Sequence, residues 1–242
     1  MTRFTVLDDP GAVAVATADR FVGTLARAID ERGVARVALS GGGTPKQVYP
    51  LLLQPARRDA LDWRSVEFFW GDERAVPPDH PESNFGVAYG MLLSQLRAVR
   101  PDRVHRMPAE AEDLEAAALS HESELRLAFG TRAGTPPAFD LIWLGMGPDG
   151  HTASLFPESA ALDERERWVV ANWAPGPAAW RMTLTFPVLE AARETIFVVT
   201  GADKADAIRA IRSGDTELPA GRVSGDHLEW IVDAAAAGEE LG

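Results

Sequence analysis

Compact apolar runs alternate with stretches of helical periodicity along this chain. Runs of this length, dominated by apolar side chains, predict buried strands, because a strand covered on both faces has no solvated side. They lie at 4–7, 34–39, 66–70, 139–144 and 196–199. The segment 181–186 instead alternates polar and apolar residues and predicts a half-buried strand.

Helical periodicity is clearest after Pro10, and Gly33 is a natural stop for that helix. Its apolar face carries Ala14, Ala18, Phe21, Val22, Leu25 and Ile29. Further helices are predicted to start near Pro45, to run from the N-cap Ser83 through Leu96, to extend from Leu114 to Ala128, and to follow Lys204.

Strands that alternate with helices are typical of a parallel sheet. The chain contains no internal repeat, low-complexity tract or clear interdomain linker. We therefore expect a single domain over residues 1–242, of the α/β class: a three-layer, Rossmann-like domain with a mostly parallel sheet flanked by helices.

Composition narrows the range of functions. The 24 basic and 36 acidic residues give a net charge of −12, which excludes a general nucleic-acid binder and disfavours attachment to a membrane surface. The 242 residues are 46% hydrophobic, enough for a sizeable core, and the lack of cysteine removes disulfides and thiolate chemistry. With no signal-like N-terminus and no apolar run of roughly 20 residues, we expect a soluble cytoplasmic protein.

Three polar or glycine-rich loops, 40–44, 71–74 and 145–151, each follow an apolar strand directly. In open α/β sheets, ligands bind where strands end. The loop 40–44 contains Gly42, Gly43 and Thr44 and precedes a helix, so it is either a phosphate cradle or a glycine-rich turn without a ligand. It matches neither a Walker loop nor a dinucleotide fingerprint.

The loop 145–151 places Asp149 two residues before His151. The carboxylate could fix the tautomer of the imidazole and leave its other nitrogen as a general base near neutral pH. Alternatively, Asp149 caps a helix that begins near His151, and the histidine is merely exposed. The spacing alone leaves both interpretations open.

Single cations are the other candidates. Arg74 in the triplet 72–74 could hold an anionic group, although a solvated charged turn is the usual meaning of such a triplet. Lys204 and Arg181 are further cation candidates.

The other histidines carry less weight: His121 has the spacing of a packed or interfacial side chain, His80 lies in a proline-rich loop, and His105 and His227 have no acidic partner at a suggestive spacing. The histidines form no zinc pattern.

Taken together, these segments resemble the 6-phosphogluconolactonase family over nearly the whole chain and in family order. The matching stretches are LSGGGTP at 39–45, WGDER at 70–74 with VP at 76–77 and SN at 83–84, GMGPDGHTASLFP at 145–157, RMTLT at 181–185 and GADKA at 201–205. The segment 145–157 is the most specific of them.

The resemblance implies hydrolysis of 6-phospho-D-glucono-1,5-lactone to 6-phosphogluconate, the second step of the oxidative pentose phosphate pathway, without a cofactor. It implies His151 as base, Asp149 as its orienting partner and Arg74 as an oxyanion or phosphate contact. The phosphate-binding positions it implies are Gly42, Gly43, Thr44 and Lys204, with Arg181 as an addition. The expected partner is the small sugar-phosphate lactone, with no nucleic acid or membrane, for a monomer or small homo-oligomer.

Two alternatives stay open. An amino-sugar phosphate isomerase-deaminase shares the architecture and a similar histidine loop, but it carries a catalytic glutamate five residues after the histidine, where this chain has Phe156. A sugar-phosphate sensing domain would bind the ligand without turnover. Such sensors usually add a helix-turn-helix region, and the chain before Ser40 has room only for a strand and one helix.

Overall fold

A computed structural model describes residues 2–132, 134–175 and 179–238. Its strands are β1 (Arg3–Leu7), β2 (Ala35–Leu39), β3 (Val66–Trp70), β4 (Asp72–Arg74), β5 (Leu141–Leu144), β6 (Val169–Ala174), β7 (Ala179–Leu184), β8 (Thr195–Val199) and β9 (Leu228–Asp233). Its helices are α1 (Pro10–Arg32), α2 (Gly43–Leu52), α3 (Pro55–Arg58), α4 (Asn84–Met91), α5 (Leu114–Phe129), α6 (Phe186–Ala191), α7 (Ala205–Arg212), α8 (Pro219–Arg222) and α9 (Ala234–Ala237).

Six strands form one parallel sheet in the order β1-β9-β8-β5-β2-β3. β2 lies between β3 and β5, so Leu39, Trp70 and Leu144 end neighbouring strands, as expected from the loops that follow them. Because parallel strands end at the same edge, the three candidate loops share one rim of the sheet.

Helices cover both faces of this sheet. Alternate strand residues enter opposite hydrophobic clusters: Phe68 and Trp143 pack on the side of α1, α2 and α4, whereas Phe69 and Ile142 pack on the side of α5, α6 and α7. Burial on both faces explains why the strands read as continuous apolar runs. The predicted three-layer α/β architecture is confirmed.

A second sheet, antiparallel in the order β4-β7-β6, was not predicted. Gly71 joins the two sheets: its N–H donates to the carbonyl of Leu39 at 2.9 Å, and its carbonyl accepts from the N–H of Leu184 at 2.9 Å.

The prediction of a half-buried strand over 181–186 is wrong in two respects. Thr183 and Thr185 are fully buried, because neighbouring loops use their hydroxyl groups, and Phe186 already begins α6.

Most predicted helices are present. α1 ends at Gly33, whose positive φ of 74° gives the expected left-handed cap. Ser83 caps α4, since its hydroxyl accepts the N–H of Gly86 at 3.0 Å, but α4 ends at Met91 rather than Leu96. A separate 3-10 turn at Leu93–Gln95 follows, because two glycines inside α4 leave it with weak helical propensity.

In the ranges that the structure describes, no helix is long and apolar enough to cross a membrane. The cytoplasmic location expected from the sequence stays a prediction.

Candidate active site

A cleft of about 400 Å³ opens at the rim where the strands of the large sheet end. Six of the eight predicted site residues line it: Gly42, Gly43, Thr44, Arg74, His151 and Lys204. The cleft falls within the size range of small-molecule sites. The three loops that were predicted to share one rim therefore line a single cavity.

One end of the cleft is suited to an anion. Gly42, with a positive φ of 102°, is the N-cap of α2, and no side chain caps this helix end. The N–H groups of the first turn and the helix dipole thus favour negative charge there. The hydroxyl of Thr44 lies 3.2 Å from that of Thr200, which fixes this turn against the end of β8.

Lys204 reaches the same cleft from a 3-10 turn, Ala202–Lys204, that precedes α7. Its ammonium is paired with the exposed carboxylate of Asp203, and this pairing lowers the pKa of Asp203. Because the Asp203 side chain is 62% exposed, its carboxylate can turn into solvent, and an anion in the cleft can replace it.

The imidazole of His151 lies against the carboxylate of Asp149, with 2.6 Å between Nδ1 and Oδ1. Asp149 also accepts the backbone N–H of His151 at 3.2 Å, within a turn. No helix begins at His151 in this described segment, so the alternative in which Asp149 caps a helix is wrong. A side chain at Gly147 would overlap the imidazole, since its Cβ would lie 2.1 Å from Nδ1.

The triplet 72–74 is the buried strand β4 and not a solvated turn. The carboxylate of Glu73 accepts the N–H groups of Asn84 and Phe85, each at 2.8 Å, and the hydroxyl of Ser83 at 3.0 Å. Burial raises the pKa of Glu73, while the backbone N–H groups it accepts act in the opposite direction. Glu73 thereby fixes the start of α4 beside the cleft.

Asp72 and Asn84 form a buried polar pair in the wall of the cleft. The amide of Asn84 donates to the Asp72 carbonyl at 2.9 Å, and the hydroxyl of Ser154 donates to the Asp72 carboxylate at 2.6 Å. Gly41 must lack a side chain, because a Cβ there would lie 1.8 Å from Oδ1 of Asn84. These contacts depend on residues distant in sequence, and the sequence analysis missed them.

Arg74 and Arg181 lie directly opposite one another on β4 and β7. Arg74 lines the cleft and donates to the carbonyl of Glu82 at 2.7 Å, whereas Arg181 is not among the described residues that line it. Burial, followed by the like charge of Arg74, lowers the pKa of Arg181. A direct role of Arg181 in phosphate binding stays a prediction.

The other histidines lie away from the cleft. His121 is buried, as its spacing predicted, and it shares the carboxylate of Glu124 with His105. These contacts, first to His105 and then to His121, lower the pKa of Glu124 to about 2. His105 thus has an acidic partner that the local sequence did not indicate. Across the described ranges, no group of three or more His, Cys, Asp or Glu side chains could hold a metal ion.

Comparison with known proteins identifies the family of this chain. Residues 8–232 match the family model described as glucosamine-6-phosphate isomerases/6-phosphogluconolactonase. A 6-phosphogluconolactonase of Synechocystis sp. is 41% identical over 90% of this chain and 89% of its own. That of Streptomyces coelicolor is 38% identical over 98% and 94%. The structure of 6-phosphogluconolactonase from Trypanosoma cruzi aligns with a TM-score of 0.87 and 31% identity, covering 100% of this chain and 98% of its own.

The chain therefore belongs to the family of glucosamine-6-phosphate isomerases and 6-phosphogluconolactonases. Within that family, the two relatives named above are 6-phosphogluconolactonases, and this chain matches them over nearly their full length. The resemblance seen in the motifs is confirmed, and with it the expectation of an enzyme of the 6-phosphogluconolactonase type.

Proposed function

We propose that this chain hydrolyses 6-phospho-D-glucono-1,5-lactone to 6-phospho-D-gluconate, in the oxidative pentose phosphate pathway. The observation that carries the proposal is that an Asp149–His151 pair, 2.6 Å apart, lies beside the same cleft as an uncapped helix N-terminus and Lys204. A base and an anion-binding end in one cavity suit a substrate that is both an ester and a phosphate. The names of the relatives supply the identity of the sugar.

The phosphate binds at the start of α2. The N–H groups of Gly43 and Thr44 and the ammonium of Lys204 provide positive charge within an acidic protein. At physiological ionic strength the Debye length is about 8 Å, so distant carboxylates of this chain repel the phosphate only weakly. Arg181, which lies opposite Arg74 on β7, is our proposed additional phosphate contact.

His151 acts as the general base. Its Nδ1–H donates to Asp149, which leaves Nε2 to take a proton from water while the water oxygen attacks the lactone carbonyl carbon. The bond between that carbon and the ring oxygen then breaks. The proton on Nε2 passes to the departing ring oxygen, which becomes a hydroxyl group and restores neutral His151. Asp149 stabilises the imidazolium that exists between these two transfers.

Arg74 stabilises the negative charge that develops on the carbonyl oxygen. Its guanidinium lines the cleft and is held by the carbonyl of Glu82, so it is oriented before the substrate arrives. A donor fixed in advance at a developing oxyanion is typically worth about 10²–10³ in kcat.

The test is hydrolysis of freshly generated 6-phosphogluconolactone, with the spontaneous rate subtracted. We expect the chain to accelerate this reaction. His151→Ala should lower the turnover rate about 10²–10⁴-fold. His227→Ala is the matched control, because His227 lies outside the cleft on an exposed loop. Binding without acceleration would indicate a sensor, and full turnover by a folded His151→Ala variant would exclude His151 as the base.

A further inference from the structure

Phe156 is buried, with 8% of its surface exposed, yet neither hydrophobic cluster of the described chain contains it. The residue before it, Leu155, is a member of the larger cluster. A large apolar side chain normally contributes to stability by packing into the core. The burial of Phe156 therefore calls for a different explanation.

The ring of Phe156 packs on the imidazole of His151, with 4.4 Å between the ring centroids and 36° between their planes. The backbone brings the two rings together. Thr152 and Leu155 pair across a tight antiparallel turn, with the N–H of Leu155 donating to Thr152 at 2.8 Å, and Ala153 within it has a positive φ of 48°. A strained turn of this kind persists only where the surrounding structure holds it in place.

The turn is itself anchored at the cleft. The hydroxyl of Thr152 donates to the carbonyl of Gly145 at 2.9 Å, and that of Ser154 donates to Asp72 at 2.6 Å. Both Thr152 and Ser154 are buried. Phe156 is therefore presented to His151 by a fixed segment.

The contact between Asp149 and His151 needs such support. Their side chains are 46% and 29% exposed, and a hydrogen-bonded pair in this environment gains little against solvation by water. Loss of the contact would let the imidazole rotate and would misplace its free nitrogen.

We infer that Phe156 is a positioning residue that confines the imidazole of His151 to the orientation in which Nδ1 meets Asp149. This inference rests on the proposed role of His151 as the base. The ring of Phe156 blocks one direction of side-chain rotation, and the backbone of Gly147 packs close to the imidazole, where an added Cβ would lie 2.1 Å from Nδ1. Small displacements of a catalytic group are costly: about 1 Å can reduce a rate by about 10².

The experiment compares Phe156→Leu and Phe156→Ala with Phe4→Leu, in which an aromatic ring stacked on Trp230 is shortened far from the cleft. We expect Phe156→Leu to lower kcat about tenfold and Phe156→Ala about 10²-fold, with KM changed less than about twofold, because neither variant touches the phosphate end. Phe4→Leu is expected to leave kcat unchanged. Circular dichroism and thermal unfolding identify any variant that has lost its fold, and Phe156→Leu is the milder substitution.

A double-mutant cycle separates positioning from a general structural effect. With His151→Ala already present, Phe156→Leu should not lower the residual rate further, because there is no imidazole left to position. Equal losses in both backgrounds, or wild-type kcat in a folded Phe156→Leu variant, would overturn the inference while leaving His151 as the base. Full activity of His151→Ala would instead exclude His151 as the base. Failure of the inference about Phe156 and failure of the proposed function are therefore distinguishable.

Discussion

Asp233 accepts the backbone N–H of Gly201 with both carboxylate oxygens, at 3.0 and 3.2 Å. It is 1% exposed, and it also accepts the N–H of Ala236 at 2.8 Å. Gly201, with a φ of 103°, begins the turn that carries Lys204 into the cleft. β9, the last strand along the chain, thus determines where Lys204, the lysine of the proposed phosphate end, is placed.

From this contact we expect Asp233→Ala to raise KM for the phosphorylated lactone about tenfold, because the Gly201 turn loses its acceptor. The variant should also lose about 1–3 kcal/mol of unfolding free energy, since two backbone N–H groups lose their partner. Steady-state kinetics and chemical denaturation measure the two effects. Asp206→Ala, a change at an exposed position of α7, is the control, and unchanged KM in Asp233→Ala would contradict the prediction.

Lys204→Ala should raise KM more than it lowers kcat. The phosphate does not react, so its contacts are similar in the ground and transition states. The measurement compares phosphorylated and unphosphorylated gluconolactone. Lys46→Ala is the matched control, because Lys46 is the other lysine of the chain and is not among the described residues that line the cleft. An equal loss on both substrates would mean that Lys204 does not contact the phosphate.

Asp149→Asn should lower kcat by on the order of 10² while leaving the fold intact. The amide no longer favours the tautomer with the proton on Nδ1, and it stabilises the imidazolium less well. Since no helix begins at His151 in the described segment, the variant loses no helix cap. Kinetics combined with thermal unfolding check both parts, and a large drop in Tm together with normal kcat would reverse our assignment.

Glu73 should make unfolding free energy depend on pH. Burial raises its pKa in the folded state, so the folded chain binds this proton more tightly than the unfolded chain, where a glutamate titrates near 4.3. Its contribution is therefore fully present below about pH 4.3 and is lost as pH rises through the folded-state pKa. The stability of the wild-type chain relative to Glu73→Gln should fall as pH increases across this window. Denaturation of both proteins at several pH values tests this, and a constant difference would argue against it.

The sequence was sufficient to predict those elements whose signal is local. The apolar runs at 66–70 and 139–144 indicate strands covered on both faces, and Gly33 marks the end of α1 without reference to the rest of the chain. The placement of three loops on one rim followed from strand alternation alone. The same reasoning brought His151 and Thr44 to one cleft.

What the sequence did not indicate depends on distant partners. Asp72 and Glu73 look solvated, but they are buried because Ser154 and the start of α4 supply hydrogen bonds. β9 was not predicted, because Glu229 interrupts its apolar run. Glu229 forms an ion pair with Arg20 of α1, which is distant in sequence. Asp233 meets Gly201 across 32 residues of sequence separation, which no local pattern reveals.

Gly71 makes the two sheets depend on each other mechanically. Its two hydrogen bonds reach back to Leu39 and forward to Leu184, so the wall of the cleft that carries Arg74 is held by the parallel sheet and by β7 at the same time. The glycine turn at 40–44 follows Leu39 directly, and Arg74 lies three residues beyond Gly71. One residue thus sets the spacing between two walls of the cleft. A substitution that shifted this junction would change the distance from the glycine turn to Arg74 without altering either of them.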